Sequence, residues 1–461
     1  MAGMPELLTL ADGLRALLGD RASVAPAVRD HHSCGESYHT PAAPDIVVYP
    51  LTTEEVSAVV RLCDEHNTPI VPFGAGTSLE GQVLALRGGV SIDLTRMNQI
   101  LRVSTDDLDA TVQAGVTLRQ LNRHLANTGM TFIVDPGSDA TLGGMVATGA
   151  SGTTTVRYGA TRENVLGLTV VLPDGAIIRT GGRARKSSAG YDLTRLFVGS
   201  EGTLGVVTDV TVRLRPLPES VAAAVCSFPD VDAAVRVVIG TIQLAVPVAR
   251  MELLDEVQMD AVNRYAKMAY PVQPHLFFEF HGLTEQDVAE QARSVETIAA
   301  EHGGSGFTWV TRLEDRTRLW KGRHDAYYAA LAMRPGAKAW TTDVCVPISR
   351  LAECIGLAKR DLMASPLSGT LVGHVGDGNF HMLYLVDPEN PEELAEARRL
   401  SERQARQAIA LGGTCTGEHG IGIGKISLLE IEHGDAVAVM RAIKRAIDPK
   451  GLMNPGKIFA S

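Results

Sequence analysis

Over the first 220 residues, apolar and polar positions fall into short runs that read in turn as strands and helices. Asp45-Ile-Val-Val-Tyr-Pro50 predicts a strand, and Thr52 with Glu55 forms a capping box that opens a helix with Val56, Val59, Val60 and Cys63 on its apolar face. Thr68-Pro-Ile-Val-Pro-Phe73 predicts the next strand, completing a βαβ unit that runs straight into Gly74-Ala-Gly-Thr-Ser-Leu-Glu-Gly81. Strands follow at 90–94 and 110–114, a helix over 117–128, and a glycine-rich stretch over 135–152. The turn Pro173-Asp-Gly175 joins 168–172 and 176–180 as a hairpin, and 206–214 closes the region before Pro216 and Pro218. Beyond that boundary, helical patterns at 231–244, 285–302, 349–363 and 392–411 alternate with strand patterns at 276–280, 307–311, 344–347, 370–375 and 380–386. The alternation predicts an α+β domain with helices on one face of an antiparallel sheet. The division expected is 1–218, 219–411, and a glycine-rich tail over 412–461 that packs back on the first domain.

Length agrees with that division, because 461 residues exceed the roughly 250 to 300 that one core supports. With 45% hydrophobic and 21% charged residues the composition is ordinary, and no run approaches the roughly 18 apolar residues of a membrane span. The first twenty residues carry Glu6 and Asp12 in an amphipathic pattern without a basic start, which predicts a surface helix rather than a signal peptide. A soluble cytoplasmic chain is expected. The six cysteines show no Cys-x-x-Cys spacing, which argues against an iron–sulfur cluster or structural zinc. A formal net charge of −10 offers no footprint for nucleic acid and leaves small-molecule chemistry.

Three loops are rich in Gly, Ser and Thr: 72–81, 136–152 and Gly199-Ser-Glu-Gly-Thr-Leu-Gly205. Glycine lets backbone N–H groups approach a phosphate, and the hydroxyls of Thr77, Ser78, Ser138, Thr141, Thr148 and Ser151 can donate to its oxygens. The spacing is neither the Rossmann fingerprint, since Leu79 stands where a third glycine would be needed, nor a P-loop, since Gln82 follows Gly81.

These loops, in the order Pro72 to Gly81, Asp135 to Gly144, Gly149 to Gly152 and Val198 to Gly205, with Asn454-Pro-Gly-Lys457 near the end, resemble the vanillyl-alcohol-oxidase flavoprotein superfamily. Within it the chain is most similar to the D-lactate dehydrogenase and glycolate oxidase branch. The resemblance implies a two-subdomain FAD-binding domain of the PCMH type, then an α+β substrate or cap domain, then a C-terminal segment returning to the flavin. It places Pro72, Gly74, Ala75, Gly76, Thr77, Ser78, Gly81, Pro136, Gly137 and Ser138 around the pyrophosphate. Thr141, Gly143, Gly144, Ala147, Thr148, Ser151 and Gly152 would run along the dinucleotide, with Glu201, Gly205 and Val207 at the adenine end or ring edge and Asn454 from the tail. Some relatives hold flavin covalently through a histidine in or near the first loop. None lies between His66 and His124, so non-covalent FAD is expected.

The segment Leu371-Val-Gly-His-Val-Gly-Asp-Gly-Asn-Phe-His-Met-Leu-Tyr-Leu385 reads as a hairpin centred between Asp377 and Gly378, which sets His374 directly opposite His381. Two imidazoles on one face can share a metal, and Glu418 of Gly417-Glu-His-Gly-Ile-Gly422 offers a carboxylate from a flexible loop. On the residues alone, histidines beside a tight turn are an equal reading. The resemblance implies a metal at these positions, with zinc, manganese and iron left open.

It also implies oxidation of a D-2-hydroxy acid, D-lactate to pyruvate first, with glycolate and D-2-hydroxyglutarate as alternatives. The rivals outside this chemistry are a metal-dependent hydrolase and a non-catalytic flavin-binding subunit. His419 is the candidate general base, and Arg323 and Arg334 are preferred to Lys338 as clamps for the substrate carboxylate. Thr341 stands where 2-hydroxyglutarate enzymes of the branch carry lysine, which points to a monocarboxylate. Electrons must leave for an external acceptor: a cytochrome, a quinone, an electron-transfer flavoprotein or oxygen. Monomer and homodimer stay open, as does peripheral association with the inner face of the membrane.

Overall fold

The computed structural model describes residues 4–184 and 186–460. They divide into two compact units. The first takes the chain up to Gly152, Gly159–Leu217 and the chain from Glu418 onward; the second takes Thr153–Tyr158 and Pro218–Gly417. The tail therefore returns to the first unit at Glu418 rather than at 412, and the short segment just after the glycine-rich stretch belongs to the second unit.

In the first unit, Thr52 accepts a hydrogen bond from the Glu55 amide and opens the helix Thr53–Glu65. The two strands of the βαβ unit, Ile46–Val48 and Ile70–Phe73, are not neighbours. Val90–Asp93 lies between them, parallel to both. The helix Met4–Leu18 is more than a surface helix: Leu10 and Leu14 are fully buried in one core with Val56, Val59, Val60, Ile70 and Val90. A second sheet of this unit runs in the order Ile100–Ser104, Asp109–Gln113, Val206–Arg213, Val165–Val171, Ile177–Gly181 and is antiparallel throughout. The hairpin around Pro173-Asp-Gly175 forms, with Val171 opposite Ile177.

The second unit is built on one antiparallel sheet. Its strands run Ser305–Val310, Ser220–Ser227, His275–Gly282, Val248–Leu254, Ser368–His374, Asn379–Val386 and Lys338–Thr341, with Val344–Cys345 also paired to Asn379–Val386. Four helices stand close to where the pattern sets them, at Val231–Gln243, Glu285–Glu301, Leu351–Met363 and Pro391–Ala410. No helix among the described residues is long and apolar enough to cross a membrane.

Candidate active site

The glycine-rich stretch of the first unit contains a helix, Leu142–Thr148. Thr141 caps it by accepting from the Gly144 amide, and Gly149 ends it in the left-handed region at φ 68°. This helix and the first loop border a cleft of about 950 Å³, counted out into the open solvent at its mouth. Pro72, Gly74, Ala75, Gly76, Thr77 and Ser78 line it from the first loop, and Pro136, Ser138, Thr141, Gly144, Ala147, Thr148 and Ser151 from the second. Glu201 and Asn454 join them, together with Gln82, Gly202, Glu418 and His419. No lysine or arginine among the described residues lines it, so an anionic group there would meet amides and hydroxyls. Ser78 Oγ is buried with no hydrogen-bond partner among the described residues, which suits a donor for a ligand oxygen.

The cleft does not reach every residue expected to hold the cofactor. Gly81, Gly137, Gly143, Gly152, Gly205 and Val207 do not line the cleft. The space beside Gly143 is taken by Ala114, that beside Gly152 by the Asp135 carbonyl, and that beside Gly205 by Val170 and Val171, so these three let backbone and side chains pack closely. Gly81 (φ 76°) abuts His39 and Ile423, Gly137 (φ 80°) makes a turn, and Val207 is a buried strand residue.

Glu201 lines the cleft and also anchors the tail segment. It lies at φ 52°, in the left-handed region that non-glycine residues seldom adopt, and Asn454 does the same at φ 41°. The Glu201 carboxylate accepts from the amides of Ile421 (2.7 Å) and Gly422 (2.8 Å), and Asn454 Nδ2 donates to the Glu201 and Gln82 carbonyls. Burial pushes the Glu201 carboxyl up to about 7 against the two amide bonds, with Glu80 adding to the rise and Lys457 opposing it. Gln82 donates to the His419 carbonyl at 2.8 Å, and Ser151 Oγ donates to Glu418 at 2.9 Å. The segment carrying Glu418 and His419 is thus fixed rather than flexible.

In the second unit the hairpin register differs from the one expected. The turn takes four residues, His374 faces Asn379, and His381 faces Val372. The histidines are diagonal neighbours instead of a direct pair, yet they share a face, with ring centroids 5.4 Å apart. His381 Nδ1 donates to the Thr342 carbonyl at 2.8 Å, and His374 Nδ1 meets both Glu252 oxygens at 2.8 and 2.9 Å. Protons on both Nδ1 atoms put both lone pairs on Nε2, the tautomer a metal ligand needs; an N–H held by a carbonyl or carboxylate is the usual support of such a ligand.

Glu252, fully buried on the strand Val248–Leu254, was not foreseen. Arg323 directs its Nε to the same carboxylate at 2.8 Å, with Nη2 also at 2.8 Å. Burial works to raise the Glu252 carboxyl, but the charges of His374 and Arg323 and their hydrogen bonds hold it below the usual range. The signal available in the sequence was Arg250 and Glu252 two positions apart in an otherwise apolar run. Arg334 does not join this group. Both its Nη atoms are held by Glu393, at 2.7 and 3.0 Å, and it donates to the Leu385 carbonyl, four residues and about 13 Å along the strand from His381. Its expected role as a carboxylate clamp is corrected to that of a tie to the helix Pro391–Ala410.

Comparison with known proteins agrees with both units. Residues 44–181 match the family described as FAD binding domain, and residues 217–458 match FAD linked oxidases, C-terminal domain. The chain is 51% identical over 455 residues, 98% of its length and 91% of the relative's, to a probable mitochondrial D-lactate dehydrogenase of Danio rerio. It is 45% identical to the mitochondrial D-lactate dehydrogenase [cytochrome] of Arabidopsis thaliana, covering 98% of this chain and 80% of that one. It is 37% identical to glycolate oxidase subunit GlcD of Bacillus subtilis (strain 168), covering 90% and 89%. The fold is also that of p-cresol methylhydroxylase, at a TM-score of 0.81 and 21% identity over 100% of this chain and 98% of that one. The chain belongs to the FAD-linked oxidases, as an FAD-dependent 2-hydroxy-acid dehydrogenase of the branch that holds the D-lactate dehydrogenases and the glycolate oxidase subunit.

Proposed function

We propose that this protein oxidises D-lactate to pyruvate and passes the electrons to an external carrier. The observation that carries the reading is the cleft of the first unit, where glycine-rich loops offer amides and hydroxyls, with Ser78 Oγ partnerless and no cation in the lining among the described residues. Relatives named D-lactate dehydrogenase [cytochrome] support the substrate and favour a cytochrome as acceptor. The flavin is proposed to be non-covalent, since the first loop holds no histidine. FAD, when bound, supplies a hydride acceptor at its N5.

The chain's own residues divide the remaining work. His419, in the cleft wall beside Glu418, takes the hydroxyl proton as general base while the C2 hydrogen leaves as hydride, which gives the keto acid. Arg323 is held by Glu252 along its Nε edge and presents its other N–H groups to the substrate carboxylate. His374, His381 and Glu418 are the proposed ligands of a divalent zinc, manganese or iron. Two Nε2 atoms and one carboxylate fit that use, and Ser151 steadies Glu418 as Glu252 and Thr342 steady the histidines. Such an ion, when bound, supplies Lewis acidity toward the hydroxyl oxygen. Thr341, in place of a second cation, favours a monocarboxylate.

Anaerobic visible spectra of the purified protein, taken with D-lactate, L-lactate, glycolate and D-2-hydroxyglutarate in separate cuvettes, test the reading. D-lactate is expected to bleach the flavin first. A protein purified without flavin, or one reduced by D-2-hydroxyglutarate ahead of D-lactate, refutes it.

A further inference from the structure

We infer that Glu252 is a positioning residue that couples the metal site to the substrate-carboxylate site, so that one buried carboxylate sets the strength of both. The inference rests on the metal reading above and adds a residue to it. Glu252 belongs to the strand Val248–Leu254, which pairs with the His374 strand through Leu253 opposite Gly373 and Leu254 opposite Val372. One further step along that register sets Glu252 opposite His374. From the other side comes Arg323, on the helix Leu313–His324. Both Glu252 oxygens meet His374 Nδ1, and Oε2 also receives Arg323, so the two neighbours share one set of lone pairs.

That sharing has two consequences. A carboxylate accepting from Nδ1 fixes the histidine's tautomer and ring orientation and raises the basicity of Nε2, and losing such support typically lowers metal affinity by about 10 to 100-fold. The same carboxylate fixes the guanidinium plane, which decides whether a second carboxylate can be held through two parallel N–H bonds. Arg323 draws on the lone pairs that support His374, so removing its charge strengthens the support left to the histidine.

The test uses Zn²⁺, titrated against a chromophoric chelator into the FAD-loaded full chain after its own metal has been dialysed away. Glu252→Gln keeps the volume but replaces one acceptor with a donor. Its half-saturation by Zn²⁺ is expected to rise about 10 to 100-fold, with KM for D-lactate rising too, while the flavin spectrum stays that of the parent. Arg323→Gln, which leaves the carboxylate in place, is expected to bind Zn²⁺ at least threefold more tightly although residue 323 is no ligand. Parent-like Zn²⁺ binding in a folded Glu252→Gln, or in Arg323→Gln should the first variant fail to fold, overturns the coupling. A parent protein that binds no Zn²⁺, Mn²⁺ or Fe²⁺ overturns the metal reading itself and with it the coupling, an outcome distinct from a parent that binds and a variant that binds equally.

Discussion

Replacing Glu201 by Gln should remove a pH dependence from the stability of the FAD-binding unit. The Glu201 carboxyl is pushed up from 4.5 to about 7, first by burial and then by Glu80, against the amides of Ile421 and Gly422 and the charge of Lys457. Between those two values the folded chain keeps a proton that the unfolded chain has released, so stability is complete below about pH 4.5 and falls as pH rises through 7. At roughly 1.4 kcal/mol per pKa unit the whole loss is about 3 kcal/mol. Glutamine has the shape of the protonated acid and does not titrate. Both Glu201 oxygens accept from amides, so the glutamine NH2 faces one of those donors at every pH and lowers the variant's stability by a constant amount. On top of that offset, the difference between variant and parent should shift by up to about 3 kcal/mol in the variant's favour between pH 5 and 7.5. Lys457, pushed down to about 8 by burial, contributes with the opposite slope only above that value, so the window from pH 5 to 7.5 isolates Glu201. Denaturant titrations at several pH values, followed by the flavin fluorescence that appears on release, report on this unit. A difference between variant and parent that stays constant across the window refutes the reasoning.

Other changes test particular assignments. Gly152→Ala puts a Cβ onto the Asp135 carbonyl at a φ of 152° and should cost more than about 3 kcal/mol, seen as failure to recover flavin-loaded protein. Thr141→Val removes the cap of the helix beside the cleft and should lower stability by about 1 kcal/mol in the same titration. Arg334→Gln should leave kcat/KM for D-lactate within about twofold of the parent, whereas Arg323→Gln should lower it roughly 100-fold, the loss expected when a buried, paired cation is removed. Equal losses in the two arginine variants would return Arg334 to the site.

Much of the fold was legible because it follows from period and punctuation. The capped helix after Thr52, the hairpin at Pro173-Asp-Gly175 and four helices of the second unit all stand near where the pattern sets them. What the pattern hid was governed by tertiary packing. Ser220–Ser227 carries three alanines, which have little strand preference, and Val248–Leu254 is interrupted by Arg250 and Glu252, so neither announced itself. The helix Leu142–Thr148 contains Gly143 and Gly144, poor helix formers; Gly143 is there because Ala114 leaves no room for a larger residue. Arg334 could not be placed because its partner, Glu393, is 59 residues away.

The histidine pair shows how a wrong register can still put two side chains on one face. A two-residue turn centred between Asp377 and Gly378 would oppose His374 and His381, whereas the four-residue turn opposes His374 and Asn379. That is a slip of two positions along the partner strand, and since side chains alternate with a period of two, both imidazoles keep to the same face. A slip of one would have put them on opposite faces. The glycines around Glu418 and His419 have a related physical sense. Gly417 abuts Asn379 and Asp343 within the second unit, while within the first Gly420 abuts Glu201 and Gln82, and Gly422 the Glu80 carbonyl. In a sequence such a Gly-Glu-His-Gly-Ile-Gly run reads as a loose loop. The structure shows instead that each glycine is a place where neighbouring groups come too close for a Cβ, with the amides of Ile421 and Gly422 held by one buried carboxylate. The motif sets Glu418 and His419 between points of contact, and close approach explains glycine at 417, while at Gly420 (φ 85°) and Gly422 (φ 49°) close approach and the left-handed backbone both require it.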